Sequence, residues 1–313
     1  MSGVDQSSRD KDQEPAKASA SPQSARQGYG AQFLGIPQPI KRVFDRFPLV
    51  EYESNPLPGS YTASREKNVL YIFISKLDAG KGRPSYNPGC LKWQAYLRFR
   101  GVDFVTEPSN NHASPSGALP FLLPSRSISG TPIPSNRLQR WCNENAPTND
   151  GHGNADHMSL RYEAYMSLLD YRIRNAYLHS LYLCPENFAS IAQPLYVDGS
   201  TSNMLLRLGL SQRLRQTARS ELLKQSSVID VEALYREAQS AFSAISELLG
   251  NDQYFFNEER AGLFDAAVFA YSNILLDEKM QWAERRLVEA LAKWPNLVRH
   301  RDRILRTYFI AEK

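Results

Sequence analysis

The stretch Asn87-Pro88-Gly89-Cys90-Leu91-Lys92-Trp93-Gln94-Ala95-Tyr96-Leu97-Arg98-Phe99-Arg100-Gly101 decides the fold of this chain. It predicts a helix from Cys90 to Arg100, and Gly101 is a good stop residue because it enters left-handed backbone without a Cβ clash. Upstream, Val69-Leu70-Tyr71-Ile72-Phe73-Ile74 is a nearly continuous apolar run, rich in β-branched and aromatic residues. That composition suits a strand buried on both faces. Lys76 to Asn87, with Gly80, Gly82 and Pro84, reads as a loop. Downstream, Val102-Asp103-Phe104-Val105 alternates as a second strand, and Ser114-Pro115-Ser116-Gly117-Ala118-Leu119-Pro120-Phe121 leads into a third, Phe121-Leu122-Leu123. Thr131-Pro132-Ile133 is a short fourth strand, and Ser135 is placed to cap a helix holding Leu138 and Trp141. The order is βαβ-ββα, with strands of mixed direction.

From Asp156 the pattern becomes all helix. Leu160, Ala164, Leu168, Ile173 and Tyr177 trace one helical face, and Val231, Leu234, Ala238, Ala241, Ile245 and Leu248 another. Leu263 to Leu276 is apolar nearly all round, as a central buried helix would be, and Pro295 suits the first turn of a last helix. Residues 68–147 are thus expected to form an α/β unit and 156–313 an all-α bundle. Residues 1–30 are polar and non-periodic and read as disordered. In Pro39 to Val50, Ile40, Val43, Phe44 and Phe47 fall at helical spacing with Lys41, Arg42 and Arg46 between them. This arm either packs on the chain's own surface or docks on a membrane or partner through Phe44 and Phe47. Pro56 and Pro58 mark a linker, so residues 1–60 form a tail and arm.

The 313 residues allow a sizeable core, and the net charge of +4 permits an acidic contact without demanding nucleic acid. Cys90, Cys142 and Cys184 are too few and scattered for a disulfide framework or zinc ribbon, so a reducing compartment is expected. No apolar run approaches the roughly eighteen residues of a membrane span. The N-terminus has no apolar signal core, and Asp5, Asp10, Asp12 and Glu14 argue against a cleaved matrix-targeting peptide. Any membrane residence is expected to be peripheral.

Cys90 is the sharpest chemical candidate. A helix N-terminus favours a thiolate, but free cysteine is more often a small buried packing residue, and that is the role expected of Cys90. Ser85 and Tyr86 are alternative hydroxyl activators. Asp265 of Gly262-Leu263-Phe264-Asp265 is placed to reach back to a backbone N–H at a helix start, which is a folding role. His112, His152, His157, His179 and His300 are scattered and expected to be solvated; only His152 and His157 are spaced near enough to suggest a metal. No phosphate-binding, nucleophile-elbow or zinc-protease motif is present.

These segments resemble the thioredoxin-like domain of glutathione transferases, followed by their helical domain. The resemblance places a reactive group at the start of the Cys90 helix and a cis-proline at Pro120. It also implies a Glu-Ser or Gln-Ser pair to hold the γ-glutamyl end of glutathione, and the matching place reads Pro134-Ser135. The anchor side chain is missing, and Ser135 is left as an N-cap. Pro-x-Cys-Leu with Ala-Tyr-Leu-Arg, Ser-Pro-Ser-Gly-x-Leu-Pro-Phe, Glu163-Ala164-Tyr165-Met166-Ser167-Leu168, Gln253-Tyr254-Phe255-Phe256-Asn257, Leu263-Phe264-Asp265-Ala266-Ala267 and Trp294-Pro295-Asn296-Leu297 resemble the metaxins more closely. The arm around Phe44-Asp45-Arg46-Phe47 resembles the fungal metaxin-like receptor subunit of the mitochondrial sorting and assembly machinery.

The metaxin resemblance implies a non-enzymatic subunit on the cytosolic face of the mitochondrial outer membrane, with no cofactor. Its implied partners are a β-barrel core subunit, a second metaxin-like subunit and β-barrel precursors. The alternative is a glutathione-dependent transferase or thiol reductase using Cys90. An incoming precursor strand is expected at the old substrate cleft, where Ser116 to Phe121 would offer backbone and Cys90, Trp93, Ser116, Gly117, Leu119 and Pro120 would line the contact. Arg299, Arg303 and Arg306 share one face of the last helix and are expected to meet a partner or anionic headgroups, while Leu297, Ile304, Leu305 and Tyr308 form its other face. Arg207, Arg213, Arg215 and Arg219 form a second basic cluster.

Overall fold

The structure is a computed structural model that describes residues 66–125, 131–147, 160–199 and 201–310. The expected tail, the arm with Phe44 and Phe47, and the His152/His157 pair lie outside the described residues.

The α/β half has the expected order. Strand β1 is Asn68–Ile72, followed by α1 (Lys76–Gly80), α2 (Pro88–Phe99), β2 (Phe104–Pro108), β3 (Phe121–Leu123), β4 (Ile133–Pro134) and α3 (Leu138–Asn145). The sheet runs β2-β1-β3-β4, with β1 parallel to β2 and antiparallel to β3, and β3 antiparallel to β4. Every β1 residue is buried, as a strand covered on both faces requires. The segment expected to be loop throughout instead contains α1, because Ser75 accepts from the Asp78 N–H and nucleates a short turn.

Helix α2 starts two residues earlier than expected. Asn87 caps it, Pro88 occupies the first turn, and the chain leaves at Gly101 with φ +69°. Ser135 provides no cap. It opens a 3-10 turn, Ser135–Arg137, that runs into α3 without a side-chain cap at Pro134 or Arg137.

The helical half begins with α4 (Leu160–Ser167), a π-helical stretch Leu168–Ile173, α5 (Arg174–Leu178) and a second π stretch His179–Leu183. Then come α6 (Pro185–Asn187), a long π stretch Phe188–Asp198, α7 (Met204–Leu222), α8 (Val231–Leu249), α9 (Leu263–Leu276), α10 (Arg286–Ala292) and α11 (Pro295–Tyr308). The central helix is α9: Phe264 through Ala270 are all buried. It packs against α2, so both halves share one hydrophobic core. Arg98 ties the same joint from the side. Its guanidinium donates to the Tyr308 and Gly82 carbonyls and lies 4.2 Å from the Phe309 ring centroid.

Candidate functional site

Cys90 lies in the first turn of α2 and is fully buried. The helix end that would favour a thiolate is already occupied: Asn87 Oδ1 accepts the Cys90 N–H at 3.1 Å. Burial pushes the thiol up from 9.0 to about 12, and the Phe73 backbone amide and Ser85 side chain offset only part of this. Cys90 therefore behaves as a small packing residue. Desolvation outweighs the helix dipole here.

The alternative hydroxyls are committed to structure. Ser85 is buried and donates to the Phe73 carbonyl at 2.5 Å, while its backbone N–H reaches Gln94 Oε1 at 2.9 Å. Tyr86 donates to the Leu195 carbonyl at 3.3 Å, and burial pushes its hydroxyl to about 12. The loop before α2 is also clamped by the helical half. Asn87 Nδ2 donates to the Tyr196 hydroxyl at 3.2 Å, and the Tyr196 ring lies 5.3 Å from both Phe73 and Tyr86. An aromatic group thus sits against the place where a small thiol cosubstrate would approach.

The other wall is the cis bond Leu119–Pro120. The backbone before it is hydrogen-bonded within its own loop. The Leu119 N–H donates to Asn111 Oδ1 at 3.0 Å, the Gly117 N–H to the Ser114 carbonyl, and the Ser114 hydroxyl to the Ala118 carbonyl at 2.7 Å. Gly117 has φ +74°, which explains a glycine there. Strand β3 pairs on both sides, so the sheet's outer strands are β2 and β4 and not the segment ending at Phe121.

Of the six residues expected to line the cleft, Cys90, Trp93 and Pro120 are buried and present no contact surface. Ser116 and Gly117 are exposed and Leu119 is half-buried, packing against both faces' apolar clusters. A separate cleft of about 280 Å³ lies beside the α1–α2 loop, lined by Asp78, Arg83 and Tyr86 on one side and Pro194, Asn273 and Asp277 on the other. Neither Cys90 nor Pro120 borders it.

The expected basic face of α11 is present: Arg299 and Arg306 are exposed, and Arg303 lies over the Tyr254 ring at 5.7 Å. Leu297 and Ile304 are buried on the opposite face. His300, expected in solvent, is fully buried. Its Nε2 lies 2.8 Å from Asp265 Oδ1, and Asp265 also accepts the Phe255 and Gly262 N–H groups at 3.1 and 2.9 Å. A carboxylate accepting two backbone donors takes a third from Nε2–H. His112 is exposed and His179 lies 3.3 Å from the Tyr235 hydroxyl. Among the described residues no group of His, Cys, Asp and Glu could hold a metal ion, and no helix is long and apolar enough to cross a membrane.

Asn87, Asn111 and Tyr196 close the site, and sequence reasoning assigned none of them that role. Asn87 before Pro88 carries an N-cap signal. Asn111 acts within its own loop, eight residues from Leu119, and Tyr196 acts through a contact 109 residues away that leaves no local pattern.

Residues 88–187 match the family model "Glutathione S-transferase N-terminal domain" and 238–304 match "Glutathione S-transferase, C-terminal domain". The fold is shared with a glutathione S-transferase of Ceriporiopsis subvermispora in complex with glutathione, at TM-score 0.50 and 15% identity over 78% of this chain and 98% of that one. Metaxin-1 of Macaca fascicularis is 29% identical over 74% of this chain and 73% of its own length. Metaxin-3 of Xenopus laevis is 30% identical over 74% of each chain. With that likeness spanning both halves of a glutathione-transferase fold, the chain belongs to the metaxin family.

Proposed function

We propose that the chain is a non-enzymatic subunit of the mitochondrial outer-membrane sorting and assembly machinery, held peripherally on the cytosolic face. There it works with a β-barrel core subunit and a second metaxin-like subunit to receive and insert β-barrel precursors. One observation carries the reading: in a metaxin, the transferase's reactive position is a buried thiol pushed to about 12, on a helix end already capped by Asn87. At neutral pH such a thiol supplies almost no thiolate, which is the nucleophile in disulfide and transfer chemistry. The Leu119 N–H is already donated to Asn111 Oδ1, which takes up a backbone donor that a bound peptide would need. The same features speak against the glutathione-dependent alternative.

Precursor recognition then falls to surfaces that remain open. Ser116 and Gly117 keep the loop before Pro120 available as an exposed turn. Site-specific crosslinking from positions 114–121 to an arrested precursor carrying its C-terminal strand tests that placement. Silence there, with crosslinks from the helical half, moves the surface to the bundle. The function itself is tested by depleting the chain from mitochondria and following precursor assembly. β-Barrel precursors should stall while helical outer-membrane proteins insert normally. Unchanged β-barrel assembly, or glutathione-dependent turnover of an electrophile lost in Cys90→Ser, overturns the proposal.

A further inference from the structure

Helix α7 is unlike the rest of the bundle. Only Ala218 and Leu222 of its nineteen residues are buried, both at its C-terminal end. At its start, Met204, Leu205, Leu206 and Leu208 are 75, 77, 58 and 62% exposed. The other exposed large apolar side chains, such as Leu77, Val105 and Val228, are scattered along the chain, as on any protein surface. Four within five residues form a patch, and a patch calls for an occupant.

The direction of these side chains says what kind. At about 100° per residue, Met204, Leu208, Leu205 and Leu206 spread over roughly 200° of the helix circumference. A helix laid in a protein groove presents a narrower stripe, repeated at three- and four-residue intervals for its whole length. Here the apolar character is confined to the first turns, and the outer side then becomes basic. Arg213 and Arg219 are exposed, and Arg215 lies over the Phe188 ring at 4.0 Å. Arg207 is turned back to the body, donating to the Thr201 and Asp198 carbonyls and facing Asp198 Oδ1 at 3.6 Å. The only acid within α7 is Glu221 at its far end, already paired with Arg174 and Lys224. Polarity therefore changes along the helix axis.

We infer that the N-terminal end of α7 dips into the headgroup region of an anionic lipid bilayer, with Met204, Leu205, Leu206 and Leu208 among the acyl chains, Arg213 on the phosphates and Arg219 above them, facing the anionic surface. The dimensions agree. At 1.5 Å per residue the apolar tip spans about 6 Å of axis, within the roughly 5–10 Å depth of interfacial helices. Arg213 and Arg219 follow at about 13 and 22 Å from the tip, so the first sits at headgroup level and the second above it. Asn203 fixes the tip by accepting the Leu205 and Leu206 N–H groups, so these donors are satisfied without water. The inference deepens the peripheral membrane attachment proposed above and rests on it.

The test is co-flotation of the purified full chain with vesicles of phosphatidylcholine alone or with phosphatidylinositol. The chain should float with the anionic vesicles, less so at high salt. Leu205→Ser/Leu206→Ser/Leu208→Ser should weaken binding by about tenfold or more, since each leucine forfeits its burial. Arg213→Ser/Arg219→Ser should weaken it by roughly tenfold on anionic vesicles only. Leu77→Ser, an exposed leucine elsewhere, should change nothing. Unchanged helical circular dichroism of the variants shows that the fold is intact. Equal flotation of the triple variant overturns the inference. So does an absence of vesicle binding by the native chain while the triple variant drops out of its native complex, which would make the tip a protein contact. β-Barrel assembly in mitochondria is read separately. Assembly that needs the chain with no flotation defeats the lipid contact alone, and flotation without any effect on assembly defeats the proposed function alone.

Discussion

At the residue scale, a pair of buried thiols and one buried carboxylate decide how this scaffold behaves. Burial raises the thiols of Cys90 and Cys142 from 9.0 to about 12. A thiol is neutral when protonated, so the folded state retains protons that the unfolded chain releases. Their contribution to stability is fully present below pH 9 and is lost as pH rises through about 12. Denaturation midpoints should therefore fall steadily as pH is raised above 9, and Cys90→Ala/Cys142→Ala should flatten that slope. In the folded chain at pH 8, an alkylating reagent should leave both thiols unmodified, whereas urea exposes them; rapid native labelling of Cys90 would contradict the buried placement. The buried carboxylate is that of Asp265. Removing its carboxylate in Asp265→Ala leaves the Phe255 and Gly262 N–H groups and His300 Nε2 without their acceptor. At about 1–3 kcal/mol for each buried orphan, the loss should be at least about 3 kcal/mol by urea denaturation. The folding role of Asp265 was legible from the helix-start pattern. Its partner His300 was not, because α11 brings that ring to it from 35 residues away.

At the element scale, helix α2 is defined by its ends. Asn87→Ala removes the acceptor for the Cys90 N–H and the donor to Tyr196. Loss of the cap alone costs about 1 kcal/mol, and the severed link to the helical half should add to it. At the other end, Gly101 has φ +69° and no atom lies within 4 Å of where a Cβ would stand, so Gly101→Ala adds backbone strain without a clash. A cost of about 1–2 kcal/mol is expected, measured as a lower urea midpoint at unchanged slope. Both ends obey local rules, which is why α2, β1 and β3 were readable in advance. The start of the bundle was less so. Leu160 and Ala164, expected on the inner face, are exposed, and the buried line runs through Tyr162, Leu169, Ile173, Ala176 and Tyr177. The buried line advances in seven-residue steps, from Tyr162 to Leu169 to Ala176, whereas the expected stripe advances by four or five residues at a time and so lies off the core at its start. In α8 the expected Ala238, Ala241 and Ile245 are buried, while Tyr235 and Leu249 take the inner places expected of their neighbours Leu234 and Leu248.

At the scale of the whole molecule, the two halves share a core, and this sets how the protein should unfold. The joint is α2 against α9, whose Ala266, Ala267 and Ala270 are each buried. Small side chains leave no room for larger ones, so Ala267→Leu should cost about 1–3 kcal/mol through overpacking. Trp93 and Trp141 report on the α/β half, and Trp282 and Trp294 on the bundle. If the shared core makes one cooperative unit, chains keeping only one pair of tryptophans should give coincident urea transitions. Ala267→Leu should then lower both midpoints together. A transition in which the α/β half melts first, with the bundle's midpoint unmoved by Ala267→Leu, would mean that each half is stable by itself. The same joint bears on chemistry. Beside Cys90 the halves close on each other: Tyr196 and Leu195 of the bundle bond to Asn87 and Tyr86, and the open cleft between the halves at the α1–α2 loop does not reach Cys90. Tyr196→Ala should therefore loosen the joint and lower the midpoint, and it should do so without conferring glutathione turnover, because Cys90 stays beneath the sheet with its N–H still capped by Asn87.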